Sequence, residues 1–142
     1  MRTAKDILQY KGTQVWSVSP DDTVLHALGV MARHECGAVV VIEGERLAGI
    51  LSERDYARKV VLAGRSSKDS AIRDVMTVEV VCVPPEQTID ECLALMTDKR
   101  IRHLPVLDGK RVVGMVSIGD LVRARIAEQE HVIEQLQQYI AG

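Results

Sequence analysis

The sequence predicts an α+β fold of two tandem βαββα repeats, packed about a pseudo-twofold axis and followed by an extended C-terminal helix. Three observations predict it. A string of residues recurs at a fixed spacing of 65 positions, without a gap, from Val18 to Asp120. Each copy pairs a helical apolar pattern with two short β-branched runs joined by a Gly turn. An apolar stripe then continues for several turns beyond the second copy.

The repeat is dense. Val18-Ser19-Pro20-Asp21-Asp22-Thr23 matches Val83-Pro84-Pro85-Glu86-Gln87-Thr88, and the same spacing carries Met31 to Met96, Gly49 to Gly114, Ser52 to Ser117 and Asp55 to Asp120. A shorter echo precedes each copy at a spacing of 68 positions: Lys5-Asp6-Ile7-Leu8 and Arg73-Asp74-Val75-Met76. One unit of about 55 residues would bury too little surface to stand alone. Two stacked copies share one core and leave two related clefts between them. The division falls at residues 1–70 (N-terminal segment, first repeat and connector) and 71–142 (second repeat and terminal helix).

The elements follow in order. A strand near Trp16–Val18, and its counterpart near Val80–Val83, opens each unit. Thr88-Ile89-Asp90-Glu91 is a capping box that starts a helix. Apolar residues then recur at helical spacing, as Ile89, Leu93 and Met96, and as Val24, Leu28 and Met31 in the first copy. Ala38–Ile42 is short, apolar and β-branched, which predicts a buried strand. Glu43-Gly44-Glu45-Arg46 turns it into a return strand, Leu47–Leu51. The second copy gives Leu104–Leu107, Asp108-Gly109-Lys110 and Val112–Val116. A helix follows each hairpin, over about Glu53–Ala63 with Gly64 as its stop, and from about Gly119 onward. Gly64–Ser70 is a polar connector. Beyond the second copy, Val122, Ile126, Ile133, Leu136 and Ile140 share one stripe with Gln129 in the remaining slot, a short a/d seam. It fits either an intramolecular cap or a partner helix.

Composition narrows the function. A net charge of −2 leaves no basic footprint for nucleic acid. The longest apolar runs are too short to span a bilayer, so no membrane partner is expected. The N-terminus lacks an apolar signal region, which points to the cytoplasm. Cys36, Cys82 and Cys92 are widely spaced and predict reduced, mostly buried thiols. His26, His34, His103 and His131 show no metal spacing, His26 and His34 are expected on a helix surface, and no metal is expected. No Walker loop, HExxH or GxSxG is present, and no signature Ser has a paired His, so the chain is not expected to be an enzyme.

Gly49-Ile50-Leu51-Ser52-Glu53-Arg54-Asp55 and Gly114-Met115-Val116-Ser117-Ile118-Gly119-Asp120 resemble the Gly-h-x-Ser/Thr-x-x-Asp signature of CBS domains, the cystathionine β-synthase type. Arg102-His103-Leu104-Pro105-Val106 resembles the strand upstream of that signature. The resemblance runs from Lys5 to about Arg125, and Glu53–Lys59 is similar to small stand-alone bacterial CBS pairs of the signal-transduction type (Bateman modules). It implies a sensor that binds an adenosine nucleotide between the repeats, AMP first, with ADP, ATP, NAD and S-adenosylmethionine derivatives open. It also implies a homodimer read by an effector protein, with an interaction module carrying vestigial sites as the alternative.

The residues support that chemistry. Gly49 and Gly114 permit close approach to a base or to the facing repeat. Ser52 and Ser117 end a strand before a helix, where a hydroxyl and unpaired N–H groups suit a phosphate. Asp55 and Asp120 match the family's ribose acceptor. Val39–Val41 and Leu104–Val106, with Pro105, would cover an adenine. Ser and Asp at these places are also ordinary helix caps. The copies differ: Arg54 faces Gly119 in the alignment, and Arg102-His103 stand where the first copy has Gly37-Ala38. Guanidinium suits phosphate, so the two sites are expected to be inequivalent. Arg58 and Lys59 are expected to be solvated.

Overall fold

The computed structural model describes residues 1–141, so Gly142, the end of the expected second segment, lies outside the described residues. In chain order the elements are α1 (Ala4–Lys11), β1 (Ser17–Val18), α2 (Val24–His34), β2 (Ala38–Glu43), β3 (Arg46–Ser52), α3 (Glu53–Asp55), α4 (Ile72–Val75), α5 (Ile89–Lys99), β4 (His103–Asp108), β5 (Arg111–Ser117) and α6 (Ile118–Ala141). Strands β1, β2 and β3 form one sheet in that order, and β4 and β5 form a second. The α+β class and the tandem arrangement stand, with α6 as the long terminal helix.

The local signals act as expected. Thr88 accepts from the Glu91 N–H while the Glu91 carboxylate takes the Thr88 N–H, and Thr23 caps α2 through the His26 N–H. Both helices end one residue into left-handed backbone, at Glu35 (φ 52°) and Arg100 (φ 56°), which stand 65 positions apart. β2 pairs antiparallel with β3, with a register shift at Val41/Ile42, and Gly44 sits at φ 65° in the turn between them. Its β-branched residues are buried on both faces, because the strand lies inside the sheet, parallel to β1 on its other edge.

Three expectations change. No regular strand opens the second copy; only an isolated parallel bridge joins Val83 to Val106. Pro84 and Pro85 follow at once and have no N–H to extend the ladder. The helix expected over Glu53–Ala63 is α-helical only in α3 and continues as a π-helical stretch, Tyr56–Val61. The connector is not merely polar: Ser70 is buried, its hydroxyl donates to the Ser66 carbonyl, and the Ser67 and Ser70 carbonyls take the Leu25 and Val24 N–H groups of α2.

The described chain divides into two compact units that cross the repeat boundary. The Asp55 unit holds Gln14–Val81 together with the hairpin tip Asp108–Val113. The Asp120 unit holds Met1–Thr13, Cys82–Leu107 and the chain from Gly114 onward. Thus α1, which precedes the first repeat, belongs with the second, and α4, which precedes the second, belongs with the first. The backbone shows the exchange. Ala4 and Lys5 N–H donate to Gln87 and Pro85 carbonyls and Ile89 donates to Arg2; Ile72 and Arg73 donate to Asp22 and Pro20, and Val24 to Ser70.

The core of the Asp55 unit joins α2 (Val24, Ala27, Met31), β2 (Val39, Val41), Leu51, Val60 and α4 (Ile72, Val75). Trp16 packs against it and stacks on His34, with ring centroids 3.4 Å apart, so His34 is half-buried rather than on the surface. In the Asp120 unit α6 packs on α5 and α1, burying Leu121 and Ala124. Cys92 is buried, and burial, with the neighbouring Glu91 charge, pushes its thiol up to about 11.

Candidate functional site

In each copy the signature places its polar residues by local geometry. Ser52 and Ser117 stand at the last position of β3 and β5, where the chain leaves extended backbone and enters a helix. Three residues later the Asp carboxylate returns to the Ser backbone. Asp55 Oδ2 accepts from the Ser52 N–H at 3.0 Å and its hydroxyl at 3.0 Å, while the Asp55 N–H donates to Ser52 Oγ at 3.1 Å. Asp120 Oδ2 accepts from the Ser117 N–H at 2.8 Å, and the Asp120 N–H donates to Ser117 Oγ at 3.2 Å. Both pairs are capping boxes in form. The Ser52 hydroxyl proton is engaged by its own box.

Each carboxylate also carries cations. Lys59 Nζ lies 3.2 Å from Asp55 Oδ1, and the Thr77 hydroxyl donates to the same oxygen at 3.3 Å. Lys11 Nζ lies 2.8 Å from Asp120 Oδ2 and Arg123 Nη2 lies 2.9 Å from Asp120 Oδ1. The Asp side chains are only 15% and 10% exposed, but the Lys59, Lys11 and Arg123 side chains are 44%, 34% and 73% exposed. The cations can therefore leave more easily than the carboxylates can turn.

The electrostatics of the Asp120 unit follow. Burial works against ionisation of Asp120, but the hydrogen bonds from Lys11 and the Ser117 N–H overcome it and hold the carboxyl below its ordinary value. Burial also lowers His103, helped by Lys11 and Arg102, while the Asp120 charge pulls the other way.

The two signature glycines make room inside their own units, not for a facing repeat. A Cβ on Gly49 would meet Met76 Sδ at 2.7 Å and the Thr77 carbonyl at 2.9 Å; one on Gly114 would meet Leu8 Cδ1 at 2.5 Å. Leu8 and Met76 are the last residues of the two echo segments, so the echo marks the chain laid across each return strand. On β3 the Ile50 and Thr77 backbones exchange both hydrogen bonds, which brings Thr77 to Asp55.

Of the residues singled out in the sequence, Ser52 with Asp55 and Ser117 with Asp120 meet as two pairs. Arg54 is exposed on α3. Arg102 is exposed and its carbonyl takes the Ile118 N–H at 2.9 Å. His103 is half-buried at the start of β4. Val39 and Leu104 are 0% exposed and Pro105 is buried, so neither Val39 nor Leu104 opens a face to a ligand. Lys59 is exposed, as expected, and also reaches Asp55. Sequence reasoning missed Lys11, Thr77 and Arg123. A charge three residues from Asp120 was a signal for Arg123; Lys11 had none, since 109 positions separate it from Asp120.

Known proteins resemble this chain over most of its length. The family model described as the CBS domain matches residues 3–62 and 72–127. The chain is 43% identical over 150 aligned positions to the CBS domain-containing protein CBSX3, mitochondrial, of Arabidopsis thaliana, covering 99% of this chain and 72% of that protein. A solved structure of a CBS-domain protein from Burkholderia ambifaria MC40-6 superposes with a TM-score of 0.86 at 49% identity, covering 89% of this chain and 96% of that one. The CBS domain pair of protein MJ0100, solved with 5′-methylthioadenosine and S-adenosyl-L-methionine, shares the fold at a TM-score of 0.78 and 23% identity, covering 89% and 97%.

Proposed function

Because the chain belongs to the CBS-domain family, with two tandem copies, we propose that it is a regulatory module that binds an adenosine nucleotide and catalyses no reaction. The observation that carries this is the duplicated Ser–Asp box: two carboxylates, each nearly enclosed, each with its outer oxygen held by exposed or hydroxyl-bearing side chains. Ribose hydroxyls can take over such an oxygen by exchange. The MJ0100 pair supports the ligand class, since the same fold there holds two adenosine compounds; at that identity it supports the fold's capacity and not the residues.

AMP is the first candidate, with ADP, ATP and NAD as further members of the class. Asp55 and Asp120 are the ribose acceptors. Ser52 and Ser117 hold them in place, and Arg54, Arg102 and His103 supply polar contacts near the ends of the ligand. The proposed setting is the cytoplasm, where a buried thiol such as that of Cys92 stays reduced. Occupancy is passed on through a homodimer to an effector protein. The surface for that dimer is the stripe of α6, where Val122, Ile126, Ile133, Leu136 and Ile140 are 43–83% exposed.

The test is a thermal-shift panel with AMP, ADP, ATP, NAD and S-adenosylmethionine, against phosphate and guanosine nucleotides. A ligand at a hundredfold excess over its Kd stabilises the folded chain by roughly 2.7 kcal/mol. A selective rise with adenosine ligands that disappears in Asp55→Ala/Asp120→Ala, with the variant still cooperatively folded, is the expected result. No rise at millimolar ligand leaves an interaction module with vestigial sites.

A further inference from the structure

Both signature carboxylates are paired with cations, and the two lysines among them arrive by unrelated routes. Lys59 comes from the helix that follows its own signature. Its counterpart 65 positions on is Ala124, which is buried in the Asp120 unit. Lys11 comes from the end of α1, and its counterpart at the spacing of the echo is the exposed Glu79. The lysine beside each Asp is therefore not a by-product of the duplication, whereas Arg123 has Arg58 as its counterpart 65 positions back. The two units bring a lysine to the signature Asp from different positions.

That arrangement has a chemical consequence. A ribose that binds Asp55 Oδ1 takes the oxygen now held by Lys59 and Thr77, and one that binds Asp120 Oδ1 takes the oxygen held by Arg123. Lys11, on Asp120 Oδ2, then faces a carboxylate whose charge is shared with the ribose hydroxyls. A neutral nucleoside would leave these ammonium and guanidinium groups with a weakened partner. A nucleotide brings a phosphate that gives them a new one, through charge-assisted hydrogen bonds. Water can rehydrate the exposed heads, so losing the pair costs little, and the new contact with phosphate is what separates the two ligands.

We propose that Lys59 at the Asp55 site, and Lys11 with Arg123 at the Asp120 site, are specificity-determining residues that make the module select phosphorylated adenosine ligands over adenosine itself. This rests on the adenosine reading above.

The test compares Kd for AMP and for adenosine by titration calorimetry on the intact chain and on Lys11→Met/Lys59→Met/Arg123→Met. Methionine keeps the apolar stems and removes only exposed heads, so the fold is expected to survive; the melting curve of the free variant checks it. A control, Lys68→Met/Lys99→Met/Lys110→Met, makes the same change in net charge at exposed positions. The wild-type chain is expected to prefer AMP by about tenfold or more, and the triple variant to lose about tenfold of that preference, chiefly by binding AMP more weakly, since a charge-assisted contact is of that size. Arginine at positions 11 and 59 should restore it. An unchanged AMP-to-adenosine ratio, or an equal fall in the control, overturns the inference while leaving the adenosine reading intact. A wild-type chain that binds neither ligand overturns both.

Discussion

Gly49 and Gly114 hold the same place in the repeat, yet a methyl group would meet different obstacles at each. At Gly49 one obstacle is the Thr77 carbonyl at 2.9 Å, part of a backbone pair with Ile50 that cannot retreat without breaking two hydrogen bonds. At Gly114 it is the tip of Leu8, a side chain with rotamers to spare. Gly49→Ala should therefore cost more, about 1–3 kcal/mol in urea unfolding, as overpacking does, with Gly114→Ala milder. Equal costs would show that the side chain of Leu8 is as fixed as a backbone. His103 gives a pH prediction at the same scale. Its folded pKa lies below the ordinary 6.5, chiefly through burial, so the unfolded chain binds its proton first as pH falls. The stability due to neutral His103 is complete above pH 6.5 and is lost as pH falls from there through the lower folded value. His103→Gln should flatten that part of a stability curve measured between about pH 8 and 5; a curve unchanged by the substitution would reject the assignment.

At the scale of elements, α6 has two faces with different fates. Leu121 and Ala124 close the Asp120 unit, whereas Ile133 and Leu136 are 54% and 56% exposed. A stripe at 4-3-4-3-4 spacing, with Gln129 inside it, is what a two-helix seam requires. Gln129 facing Gln129 of a second copy would also fix the register. Ile133→Asp/Leu136→Asp should halve the mass seen by light scattering. The fold of the units should survive, because exposed substitutions usually change stability by within about 0.5 kcal/mol. An unchanged mass would remove the seam as the dimer surface.

At the scale of the molecule, the exchange of α1 and α4 ties each signature to a segment from outside its own repeat. Removing Met1–Lys11 takes away the Leu8 side chain over Gly114, the backbone bonds to Pro85 and Gln87, and the Lys11–Asp120 ion pair together. Hydrogen exchange should then quicken in β5 and the start of α6, and not in α2 or β3, although α1 is nearer to those elements in sequence. Loosening centred on the first repeat would contradict the exchange.

The sequence by itself determined whatever depends on near neighbours. The hairpins follow from β-branched runs around Gly44 and Gly109, the caps from Thr23 and Thr88, and the Ser–Asp boxes from a separation of three residues, because these contacts close within one or two turns of chain. Periodicity then ordered the elements, and a matched second copy turned weak local signals into a fold. What only the tertiary structure decided is which distant segments meet. Leu8 lies on Gly114, Met76 on Gly49, and Lys11 on Asp120; Val39 and Leu104 sink into the interior rather than offering a face. A one-residue difference in helical winding, the π stretch after Asp55, also left no mark in the residue pattern. Such outcomes are set by the sum of many packing contacts over the whole chain, and no spacing within a repeat records that sum.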